Sequence, residues 1–205
     1  MFDRAVSATY SNMKEKVRTR IDILRPLLKD AVPGVRIAAS QAIEKLEGIS
    51  STEEILHTLK TGDMGARIGA IYALGEIGGT KVLPPLIYCA GRPEVDIRSA
   101  AVEVLGRLGL PAASPVLVER LEDQHVAVQA RAISALSHFT ASPDVLQKLR
   151  RFLDSNDGAL EAEAAITLAT LRDLDSLDSM ISLLSSNYAS TRQAAAVALS
   201  LMPLQ

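Results

Sequence analysis

The chain has 205 residues, a net charge of −2, and a composition that is 48 % hydrophobic and 22 % charged. That balance excludes a disordered chain, and the absence of a Lys/Arg excess argues against a broad nucleic-acid footprint. Aromatic residues make up only 3 % and Trp is absent, so any core must be built from Ala, Leu, Ile and Val at close range.

Residues 1–20 come first. Phe2, Val6, Tyr10, Met13 and Val17 recur at helical spacing and predict an amphipathic helix. Such a helix either caps a repeat array or docks a partner. The stretch has no apolar h-region, so no signal peptide is expected. No run of about 18 apolar residues follows, so no membrane span is expected. The single cysteine, Cys89, predicts no internal disulfide and a cytoplasmic, reducing location.

From residue 21 onward the sequence repeats. A leading helix is predicted in each unit from the column Leu24, Ile55, Leu86, Leu117, Leu149 and Met180. A second column stands four residues on: Leu28, Leu59, Ala90, Leu121, Leu153 and Leu184. Pro26 should kink the first of these helices. Second helices are predicted to begin near residues 35, 66, 97, 128, 160 and 191, a spacing of 31 or 32 residues. Each carries an alanine at its fifth position: Ala39, Ala70, Ala101, Ala132, Ala164 and Ala195. Apolar columns follow at Ile43, Leu74, Leu105, Leu136, Leu168, Leu199 and at Leu46, Ile77, Leu108, Phe139, Leu171, Met202. These positions share one helix face, and the small alanine predicts close helix–helix approach. Turn signals separate most helices: Val32-Pro33-Gly34, Thr61-Gly62-Asp63, Gly78-Gly79, Gly91-Arg92-Pro93, Gly109-Leu110-Pro111 and Asn156-Asp157-Gly158. A helix pair alone cannot bury its apolar face, whereas a stack can.

The pattern V-R-x-x-A-x-x-A-L-x-x-L/I-G at this period resembles the short HEAT-like repeat of the phycobilin-lyase type, over residues 21–202. The resemblance implies an all-α, right-handed α-solenoid of six HEAT-like helix pairs behind the N-terminal helix. It also implies that the arginine column Arg36, Arg67, Arg98 and Arg192 pairs with a turn carboxylate of a neighbouring unit. Gln129 and Glu161 interrupt that column. Asp63 and Asp157 keep the usual acid near the start of the second helix.

In such a stack the second helices line the concave side, so their non-packing positions are the candidate binding surface. These include Gln41, Ile68, Tyr72, Glu76, Glu103, Arg107, Arg131, Ser134, His138, Ile166, Val197 and Leu201. The series runs from mixed and polar to apolar, which suits a protein segment. The apolar last repeat predicts coverage by a second copy, a partner, or further residues.

No catalytic, cofactor or metal site is predicted. His57, His125 and His138 fall in unlike positions, and no ligand spacing or His-Glu dipeptide is present. There is no G-x-S-x-G elbow and no phosphate-binding loop. Glu161 and Glu163 read as solvated charges on a helix surface. The expected function is therefore a non-catalytic protein-binding scaffold or adaptor, with another protein as partner and neither nucleic acid nor membrane. The resemblance leaves a second expectation open: a subunit of a bilin lyase, or a chaperone-like factor acting on a phycobiliprotein.

Overall fold

A computed structural model describes residues 15–203, and these are all-α: no strand occurs among them. The chain divides into two compact units, Met1–Leu74 and Gly75–Gln205.

In the first unit, helix α1 occupies 15–24. It gives way to a 3-10 turn, Arg25–Lys29, that starts around Pro26, where the missing N–H predicts a break. The rest of the expected 1–20 helix lies outside the described residues. Helix α2 then runs from Pro33 to Thr61 without interruption. This differs from the expected helix pairs: the second helix of the first repeat and the leading helix of the second are one rod. The reason is local. Between Leu46 and Ile55 stand EGISSTEE, with no proline and one glycine, Gly48. A single helical glycine costs only about 1 kcal/mol relative to alanine. Helix α3 (Met64–Ile77) follows, with the Asp63 carboxylate accepting from the Ala66 N–H at 2.8 Å as an N-cap.

The second unit shows the expected pairs. Leading helices α4 (Leu83–Ala90), α6 (Ser114–Arg120), α8 (Pro143–Arg150) and α10 (Leu177–Leu183) alternate with second helices α5 (Val95–Leu108), α7 (Val126–Leu136), α9 (Gly158–Thr170) and α11 (Ala189–Leu201). Each leading helix packs on its own second helix, and α5, α7, α9 and α11 pack successively on one another. The one-residue insertion before α9 is absorbed in a turn where Asn156 takes a left-handed conformation. There the Asp157 carboxylate accepts from the N–H groups of Ala159 and Leu160.

The alanine column is packing, as its size requires: Ala39, Ala70, Ala101, Ala132, Ala164 and Ala195 are all buried. A second small-residue column, not anticipated, sets the closest approach. A Cβ built on Gly106 of α5 would lie 2.5 Å from Ala135 Cβ and 2.8 Å from Ala135 Cα on α7. One built on Gly75 would lie 2.8 Å from Val104 Cγ1. The same register holds Ser137, Ala169 and Ser200 in later repeats. So successive second helices meet nearly backbone to side chain.

Candidate functional site

The arginine column is built into the repeat. In the first repeat the Arg36 guanidinium donates to the carbonyls of Asp30 (2.7 Å) and Ala31 (3.1 Å). Arg98 donates to those of Arg92 (2.9 Å) and Pro93 (2.8 Å), and Arg192 to that of Ser186 (2.7 Å). Each thus binds carbonyls in the turn before its own helix, groups that would otherwise lack partners. Where Gln129 takes the position, its amide still reaches a carbonyl there, that of Leu121 at 3.2 Å. Arg98 also makes the expected contact with a neighbouring repeat. Its Nε and Nη2 each donate to Asp123 at 2.9 Å, a bidentate pair with side chains 12 % and 3 % exposed. Burial works against charge on Asp123. Hydrogen bonds from Arg98 and the His125 N–H, with the charges of Arg98 and Arg120, outweigh it and hold the carboxyl below its usual range.

Glu161 corrects the expectation of a solvated charge. It is buried, and its carboxylate accepts from Thr191 Oγ1 at 2.9 Å and Ser186 Oγ at 3.3 Å in the next repeat. The register explains this: the position faces the following unit. Arg98 meets an acid, Asp123, in the turn of its neighbour. Glu161 replaces the base, and the equivalent turn position is Ser186, a hydroxyl donor. Glu163 is half-buried. His125 is the N-cap of α7, its Nδ1 accepting from the Ala127 N–H at 3.3 Å. His57 is half-buried and His138 exposed.

The candidate row on the second helices falls in both units. In the first, Gln41 is exposed on α2, and Ile68 and Tyr72 are half-buried on α3. In the second unit the polar part of the row is cross-linked between repeats. Arg107 Nη2 lies 3.3 Å from Glu76 Oε1, and Arg131 Nη1 lies 3.4 Å from Glu103 Oε2. Arg131 stands beside the row in register yet reaches into it. Ser134 is half-buried next to exposed His138. Toward the last repeat the row turns apolar and open: Ile166 is half-buried, and Val197 and Leu201 are 51 % and 50 % exposed. The edge that would face a seventh repeat carries Arg192, Ala196 and Ser200, all exposed. So the apolar character of the last repeat's second helix lies along the row rather than on its end.

Comparison with known proteins follows the same lines. The family described as HEAT repeats matches residues 52–137 and 114–200. No curated protein matches the sequence. Among solved structures, the complex of CpcE and CpcF of phycocyanin lyase from Nostoc sp. PCC7120 is similar, with a TM-score of 0.65 and 19 % identity. That match takes in 75 % of this chain but only 65 % of the lyase chain. The YibA protein of Escherichia coli aligns at a TM-score of 0.61 and 20 % identity, over 95 % of this chain and 74 % of that one. A designed armadillo repeat protein in complex with the peptide (KR)4 aligns at 0.53 and 17 %, over 88 % and 98 %. These likenesses show the fold: an α-solenoid built from helical repeats. With the repeat register, the buried alanine column and the family match in agreement, the chain belongs to the HEAT-repeat family.

Proposed function

We propose that the chain is a non-catalytic protein-binding scaffold, using the exposed row on its second helices, the concave side expected of a HEAT stack. The observation that carries this is the character of the row in the second unit. It joins ion-paired side chains, exposed at Glu76, Arg107 and Arg131 and half-buried at Glu103, to exposed aliphatic ones (Val197, Leu201). Exposed ion pairs add little to stability, so their charges remain usable for a partner. Burying an exposed Leu or Val is worth roughly 1.5–3 kcal/mol each, which supplies affinity at the other end.

The test begins with affinity capture from the native organism and identification of the bound protein. A Glu103→Lys, Arg107→Glu reversal is expected to weaken that complex about tenfold or more, with helix content and melting temperature nearly unchanged. Equal binding by parent and reversal would remove the row from the interface. A Val197→Glu, Leu201→Lys variant examines the apolar end. Static light scattering is expected to show self-association in the parent and a monomer in the variant. A parent that stays monomeric, with a variant that binds its partner equally well, would dispose of any role for that end.

A second reading has one observation in its favour, the fold likeness to the CpcE–CpcF complex. On it the chain is one subunit of a bilin lyase or a chaperone-like factor for a phycobiliprotein. Mixing the chain with bilin and an acceptor phycobiliprotein, with and without a second subunit, tests it. Absence of covalent transfer, followed by absorbance, ends that reading.

A further inference from the structure

The first repeat is open on a side that interior repeats close. The leading-helix column Leu59, Ala90, Leu121 and Leu153 is buried throughout. Its two other members are exposed: Leu184 (41 %) in the sixth repeat, and Leu28 (39 %) in the first, although the second repeat follows it. The cause is α2. A rod continuous from Pro33 to Thr61 carries the chain past the point where a turn would fold the second repeat's leading helix back. Positions that face the following repeat agree. Val102, Ile133 and Ala165 are buried there, whereas the first repeat has exposed Ser40.

The residue at the closest-approach register then decides what fits. Interior repeats place Gly106, Ser137 and Ala169 at this position, and even a Cβ on Gly106 would come within 2.5 Å of Ala135. The first repeat places Glu44 there, exposed. A side chain of that length rejects the tight stacking used by this chain's own repeats, whether from the same copy or a second one. What remains is a cleft of about 280 Å³ lined by Leu28, Ser40, Ile43, Glu44 and Glu47. Its apolar part is Leu28 and Ile43, and its rim carries one sign of charge. Neither Glu44 nor Glu47 meets a cationic side chain among the described residues. A neighbouring cleft between α1 and α2 shares Glu47 but mixes signs, with Arg18 and Arg25 opposite Glu54 and with Asp22 paired to Arg25 at 3.2 Å.

We propose that this side of the first repeat seats one amphipathic helix of a protein partner. Its apolar stripe lies on Leu28 and Ile43, and its flanking Lys or Arg residues meet Glu44 and Glu47. The seat lies in the first unit and does not depend on the row proposed above.

The test uses the full chain and two fluorescein-labelled amphipathic helices of about 18 residues, enough for five turns, one of Leu and Lys, the other of Leu and Glu in the same pattern. Anisotropy is expected to show saturable binding of the Leu/Lys peptide and at least about tenfold weaker binding of the Leu/Glu peptide. Glu44→Lys with Glu47→Lys should lower affinity for the Leu/Lys peptide about tenfold, and Leu28→Ser severalfold. Glu103→Lys with Arg107→Glu should leave it unchanged, which separates this seat from the row. Both glutamates are exposed, and Glu44→Gln with Glu47→Gln serves if the reversal does not fold. Equal affinity in parent and glutamate variants would overturn the proposal. So would equal binding of the two peptides, or a concentration-dependent doubling of mass that excludes the peptide, which would put a second copy in the seat.

Discussion

Gly106→Val is expected to lower the unfolding free energy by about 3 kcal/mol, the upper end of what overpacking a well-filled core does. The argument is geometric. The first atom added, Cβ, would sit 2.5 Å from Ala135 Cβ and 2.8 Å from Ala135 Cα, and the second of these is backbone. A flexible side chain could swing aside, but α7 can only move as a body. Gly106→Ala gains about 1 kcal/mol of helix propensity and still meets the same contact, so it should also destabilise, by less. Ala101→Leu provides the reference. It fills a buried site on the same helix and should cost roughly 1–3 kcal/mol. Urea midpoints for the three variants should therefore fall below the parent, with Gly106→Val lowest. A Gly106→Val protein with the parent's midpoint would mean that α5 and α7 are not in this contact.

Arg98→Ala is expected to cost about 3 kcal/mol at neutral pH, because it strands a buried carboxylate. Asp123 would keep Arg120, whose Nη1 lies 3.5 Å from Oδ2, and the His125 N–H, so the loss falls at the low end for a broken buried pair. The pH dependence identifies the partner. The folded chain holds Asp123 charged more readily than the unfolded chain does. Its contribution is therefore complete above the unfolded carboxylate value near 4 and is lost as pH falls below it, through the lower folded value. The gap in stability between parent and Arg98→Ala should accordingly be full at pH 7 and narrowed at pH 3, measured by urea unfolding at each pH. An unchanged gap would assign the whole effect to the carbonyls of Arg92 and Pro93, which Arg98 also binds.

The repeat, its period and the alanine packing column were legible in the sequence by itself, whereas the apolar column ending each second helix is not uniformly buried, Ile77 being 45 % exposed. Side chains at a fixed helical register point the same way in every unit, so a column such as Ala39 to Ala195 announces burial without coordinates. The acids Asp63 and Asp157 were legible as the residues expected near the starts of their helices, and the structure shows them acting as N-caps on N–H groups two or three residues away. Of the candidate row, residue membership followed from register, but the pairing of Arg107 with Glu76 and of Arg131 with Glu103 did not. Those contacts join residues a whole repeat apart, and their reach depends on how one helix sits against the next. The same holds for Glu161, whose surroundings are hydroxyls of the following repeat, and for Gly106, whose approach to Ala135 depends on how α5 sits against α7. The continuous α2 is the plainest case. Sequence period assigned residues 33–61 to two helices, and nothing between them forbade one. A turn forms when folding back buries more than straightness saves. At the register where later repeats carry glycine, alanine or serine the first repeat carries Glu44, and the tightness of that register is visible only in the packed helices of the other repeats.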